Sequence, residues 1–288
     1  MTMTPVRGSV VEARVGEAWS RAAGVVVRRL DEPWLTGGAS ATLLEVNGRE
    51  RLDRLRELTS AGVYVDGIVR SLPSLEIVLR DATGGQLATI GLIGSDIIAW
   101  NRDEFGNDFE LEASHELWLF LAELGVPGSL ARLTGPLVHA LGLEEGEERF
   151  RPVVEGSRIP AVMGARRAPQ PLWSWLSGFS SEDAQDRPPT EIDRYDAELR
   201  AAMPQPGDRA RSLLAWWGSL TWLSEACAGE GVLARALLSC IDRGDVLRAM
   251  GADLDAAVVM GALAWINAVK DEDGVLERIG PHLRVLPG

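Results

Sequence analysis

The hydrophobic period of this chain changes along its length, and that change limits its fold more than any other feature. From residue 75 the pattern turns strand-like, with Leu75, Ile77 and Leu79 recurring every second position and short apolar runs following to residue 100. After residue 190 apolar residues recur every third or fourth. Strand-type and helix-type patterns in separate blocks indicate an α+β protein rather than an alternating α/β one.

The period-two block is Leu75, Ile77 and Leu79, then Gln86 to Ile93, then Asp96 to Trp100. Asp81-Ala82-Thr83-Gly84-Gly85 and Gly94-Ser95 separate these runs and carry turn chemistry, so a three-stranded antiparallel meander is predicted. Val63 to Val69 offers a fourth strand and Ala41 to Val46 a short one.

Around this block the sequence predicts helices. Val11, Val15, Ala18, Trp19, Ala22 and Val26 form one stripe at helical spacing, and Leu52, Leu55 and Leu58 another within Arg49 to Ser60. Ser114 is placed to cap a third helix bearing Leu117, Phe120, Leu121 and Leu124, and a fourth runs from Ser129 to Leu141 with a break near Gly135-Pro136. Residues 1–150 therefore read as an α+β domain in which helices pack a small meander.

Residues 151–189 read as a Pro-rich crossover or linker, within a polar stretch from 144 to 190 that holds six prolines. Residues 190–288 read as all-helical, a bundle or an irregular array of helical hairpins. Thr190 with Asp193 has the form of a capping box. Arg209 to Ala228 carries Leu213, Trp216, Leu220, Leu223 and Cys227, and Gly231 to Ile241 and Asp245 to Met250 give shorter helices. Leu254 to Val269 is apolar on nearly every side, as expected of a helix at the centre of a helical core.

Composition excludes several chemistries. Twenty-eight of the 29 basic residues are arginine, so Lys270 is the one ammonium available for a phosphate loop or Schiff base, and no GK[ST] motif occurs. The scarcity of Lys, Asn, Tyr, Phe and Ile points to a high-GC bacterial genome. A net charge of −13 argues against nucleic-acid binding, which depends on neutralising phosphates. The N-terminus lacks the apolar run of a signal peptide, and Ala256 to Val269 falls short of the ~20 residues that cross a bilayer, so a cytoplasmic protein is expected.

No motif assembles a catalytic centre. There is no GxSxG elbow and no GxGxxG fingerprint. Cys227 and Cys240 fall on predicted apolar stripes and read as buried packing residues. His115, His139 and His282 are far apart; His115-Glu116 opens like HExxH, but Leu119 stands where the second histidine belongs. His115 reads as a first-turn helix residue, His139 as a core-edge residue and His282 as part of an exposed tail.

Residues 101 to 112 place Asn101, Asp103, Gly106 and Glu112 at positions 1, 3, 6 and 12 of a calcium loop. Phe105 and Asp108 break that pattern at positions 5 and 8, and a strand precedes the loop where an EF-hand has a helix, so a solvated connection is expected instead. No metal and no cofactor is assigned.

The net charge is local. Residues 103 to 148 hold eleven Asp and Glu against one base, Arg132. A concentrated negative segment attracts basic partners and speeds their arrival. The functional expectation is a non-enzymatic interaction module, an immunity-type inhibitor or regulatory adaptor, that presents Asp103, Glu104, Asp108, Glu110, Glu112 and Glu116 to a basic protein. Trp173 and Trp175, two apart beside the domain junction, would add an aromatic patch. Two alternatives are a carboxylate-based, divalent-metal-dependent hydrolase and a small-ligand binder with a tryptophan-lined pocket.

Overall fold

A computed structural model of the chain describes residues 8–30, 40–65, 71–101, 108–140, 168–172, 192–220, 228–251, 256–269 and 272–283. The fold is α+β, with a seven-stranded antiparallel sheet in the N-terminal half followed by helices. The chain divides into two compact units, Met1–Arg132 and Leu133–Gly288.

The first unit contains α1 (Gly8–Arg21), β1 (Gly24–Leu30), β2 (Ser40–Val46), α2 (Arg49–Ser60), β3 (Gly62–Tyr64), β4 (Leu75–Arg80), β5 (Gln86–Ile93), β6 (Ile97–Trp100), β7 (Asp108–Leu111) and α3 (Ser114–Glu123). The expected meander is β4-β5-β6, the middle of a larger sheet ordered β2-β1-β4-β5-β6-β7-β3. Its first hairpin turns on Asp81, whose Oδ1 accepts hydrogen bonds from the Thr83 and Gly85 amides at 2.8 Å and from the Thr83 hydroxyl at 2.7 Å, with Gly84 at φ 84°.

The register puts Val25, Val27, Ile77, Leu79, Ala88, Ile90 and Trp100 on one face, all buried. There α1 packs on β4 and β5, and Trp19 meets Trp100 edge to face with ring centroids 6.4 Å apart. Val26, Val78 and Ala99 are buried on the other face as well. Burial on both sides accounts for one correction. The helix expected to extend through Val26 ends at Arg21, and Val26 lies in β1. Three successive buried valines carry no period-two signature, so a strand there looks like the end of an apolar helical stripe.

Local details differ elsewhere. Ser114 opens α3 as its first residue, and the preceding position is Ala113, with no side-chain cap. The break before α4 (Thr134–Ala140) falls where a 3-10 turn, Leu130–Leu133, gives way to α-helix; Gly135 and Pro136 sit in the first turn of α4, where proline is tolerated. The two sheet edges are blunted differently. β2 carries an extra residue against β1, a bulge at Leu43, while β3 is only three residues long.

The second unit contains a 3-10 turn at Gln170–Leu172, α5 (Ile192–Ala202), α6 (Pro206–Ser219), α7 (Ala228–Ser239), α8 (Arg243–Ala249), α9 (Ala256–Val269) and α10 (Val275–Leu283). As the apolar pattern predicts, α9 is central: Ala257 through Leu263 are all buried, and α9 packs on α4, α6 and α10. Two glycines bring α6 and α9 together. A Cβ on Gly218 would lie 1.8 Å from the Ala257 carbonyl oxygen, and one on Gly261 would lie 1.9 Å from the Leu214 carbonyl oxygen. His282 belongs to α10 rather than to an exposed tail, and Cys240 is only partly buried at the end of α7. Thr190, Trp222, Cys227 and Lys270 lie outside the described residues.

Candidate functional site: the acidic edge of the sheet

The acidic segment begins as a strand. β7 inserts between β6 and β3, pairing Glu110 with Ile97 on one side and Val63 on the other. Positions 8 to 11 of the calcium-loop pattern are therefore ladder residues, which replaces the solvated connection expected there. Among the described residues no group of three or more His, Cys, Asp or Glu is placed to hold a metal ion.

The predicted acidic residues differ in their surroundings. Asp108 is buried, with 1% exposure, and does not stand on the surface. Glu110 and Glu112 are exposed. Glu116, in the first turn of α3, forms an ion pair with Arg54 of α2, whose Nη1 also donates to Glu57 at 2.7 Å. Burial pulls the Arg54 pKa down, and the hydrogen bonds to Glu57 and Glu116 outweigh it, leaving the group above its ordinary value. Nothing in the sequence signals this pair, since its members are 62 residues apart. Asp103, Glu104, Trp173 and Trp175 lie outside the described residues.

Glu110 and Glu112 carry no compensating charge among the described residues. Some helix acids face an arginine one turn away, Asp53 with Arg49 at 3.0 Å and Glu198 with Arg194 at 3.1 Å, whereas others such as Glu12 and Glu50 form no such pair among the described residues. The single base of the segment, Arg132, is directed elsewhere: its guanidinium lies 5.1 Å from the Trp118 ring centre and donates to the Gly94 carbonyl at 3.3 Å. Trp118 in turn donates from Nε1 to the Ser95 carbonyl at 2.6 Å, fixing α3 to the β5–β6 turn.

Beside these carboxylates lies the outer strand of the sheet. Val63 is 62% exposed and sits directly opposite Glu110. The Val65 amide donates to Asp108 and the Glu112 amide to Ala61, so residues 61, 63 and 65 turn their backbone toward β7. Gly62 and Tyr64 consequently point their N–H and C=O groups away from the sheet. Gly62 permits the close pairing, because a Cβ there would lie 2.0 Å from the Glu110 carbonyl oxygen. On the opposite face Tyr64 stacks edge to face with Phe109, centroids 4.9 Å apart.

A concavity lies between α1 and the sheet, a cleft of about 220 Å³ bordered by Arg14, Glu17, Arg21, Ala88, Trp100 and Asn101. Asn101 has φ 36°, and its Oδ1 accepts from the Thr89 amide at 2.7 Å. None of the predicted acidic residues borders this cleft. Comparison with known proteins finds no matching family model, no matching curated protein and no matching solved structure.

Proposed function

We propose that this protein is a non-enzymatic cytoplasmic interaction module, an immunity-type inhibitor or regulatory adaptor that offers an acidic surface to a basic protein partner. The observation that carries this reading is the uncompensated exposure of Glu110 and Glu112 at the outer end of the sheet, in a segment whose one arginine serves a tryptophan ring and a carbonyl. Charges that are not neutralised within the fold attract an oppositely charged partner and set its orientation. A hydrolase would need its carboxylates to converge in a cavity. Asp108 is instead buried, Glu116 is bound to Arg54, and the described cleft holds none of the predicted acids.

Affinity purification from the native host at low and high salt tests this. The wild-type chain should retain a basic protein at low salt and release it at high salt, and a Glu110→Gln/Glu112→Gln variant should retain less at low salt. Recovery of no basic protein, or of one whose retention ignores both salt and the substitutions, would overturn the reading.

A further inference from the structure

Resting on the acidic-surface reading, we infer that the basic partner is an extended segment that adds to the sheet as an eighth strand against β3. An exposed ladder edge is a template for strand addition, in which main-chain hydrogen bonds supply affinity and alternating side chains supply selectivity. Gly62 and Tyr64 present outward N–H and C=O groups at this edge, and Val63 between them is exposed. The other edge is less suited, because the Leu43 bulge in β2 interrupts the regular alternation that an added strand must match.

The chemistry of the occupant follows from what surrounds the edge. Residues of the new strand opposite Val63 would share its face, and Glu110 lies on that face one strand further in. That separation is about 10 Å, two strand spacings, which a lysine or arginine side chain spans. Glu112 continues the same face two residues along. On the opposite face the incoming residue beside Gly62 meets no side chain from that position, and its neighbour meets Tyr64 over Phe109. The preferred ligand is therefore an extended peptide that alternates basic with apolar residues. A second copy of this chain fits less well, since pairing β3 with itself would bring Glu110 and Glu112 of both copies to the same junction.

Amide hydrogen exchange on the full-length protein, with and without a short capped peptide alternating lysine and valine, tests the mode of binding. In the free protein the Gly62 and Tyr64 amides should exchange freely. Saturating peptide should slow both by about tenfold or more. Glu110→Gln/Glu112→Gln should weaken the peptide by about three- to tenfold. Peptide that binds and responds to these substitutions, yet leaves the Gly62 and Tyr64 amides unchanged, would overturn strand addition while sparing the acidic-surface reading. No binding even at low salt would overturn both. Protection of the two amides in the free protein that grows with protein concentration would assign the edge to a second copy and overturn the peptide model.

Discussion

Tyr64 joins the fold to the proposed edge through a single titratable group. Burial, and next the nearby Glu12 carboxylate, push its phenol up to about 12. A raised folded-state pKa means that Tyr64 contributes stability below its ordinary value near ~10, and that this is lost as pH rises from there through about 12. The chain has two tyrosines, so in a Tyr195→Phe variant the absorbance change of tyrosinate reports Tyr64 alone. Its midpoint should fall near 12; ionisation near the free-tyrosine value would show that the ring is solvated. His115 shifts the opposite way. Burial lowers its pKa against a smaller upward pull from Glu116. The folded state thus favours neutral imidazole, so its stabilisation is complete above the ordinary histidine pKa near ~6.5 and declines as pH falls through that value toward the lower folded one. His115→Gln should flatten the fall in the urea midpoint between neutral and mildly acidic pH. An equally steep fall in the variant would place the sensitivity elsewhere. The sequence placed His115 correctly in a first helical turn, but its burial depends on how α3 packs, which local pattern does not encode.

At the scale of elements, legibility followed the number of buried faces. α2 has one buried stripe, and its Leu52, Leu55 and Leu58 are buried as their spacing predicts. Elements with a single clear apolar face, and turns with specific chemistry such as Asp81 to Gly85, are written locally. β1 is buried on both faces and lost its signature. β7 was hidden because Asp108-Phe109-Glu110-Leu111 is too short and too acidic to read as a strand until β6 and β3 are seen on either side. The edge therefore could not be foreseen from sequence, although Val63 belongs to a run, Val63 to Val69, that the sequence predicts as a strand. The α6–α9 crossing was equally hidden. Gly218 and Gly261 lie 43 residues apart, and nothing local shows that they face each other's helix backbone. Their contact yields a paired prediction. Gly218→Ala forces backbone against backbone and should cost about 3 kcal/mol or more. Gly16→Ala, in α1 with nothing within 4 Å of the added methyl, should instead stabilise by about 0.5–1 kcal/mol. Urea midpoints moving in opposite directions would confirm the contrast, while equal losses would show that helix propensity does not govern the Gly16 site.

For the molecule as a whole, the division into Met1–Arg132 and Leu133–Gly288 redistributes the charge that the sequence shows as one run. Seven of the eleven acids between 103 and 148 fall in the first unit and four, Glu144, Glu145, Glu147 and Glu148, in the second. Only the first seven share a unit with β7, β3 and the open edge. Among the described residues that unit also contains the seven strands, the helices α1, α2 and α3, and both ends of the Trp118–Ser95 and Arg132–Gly94 hydrogen bonds. Its length is within the range in which a single core sustains folding, and the described sheet takes no strand from residues beyond 132. A fragment spanning 1–132 should therefore fold alone, unfold in one cooperative urea transition and keep the salt-sensitive affinity for a basic peptide. Far-ultraviolet circular dichroism and a peptide titration on the fragment measure both properties. A fragment that folds but binds no peptide, while the full chain does, would move recognition to the four acids of the second unit. A fragment that fails to fold would show that the first unit is not self-sufficient.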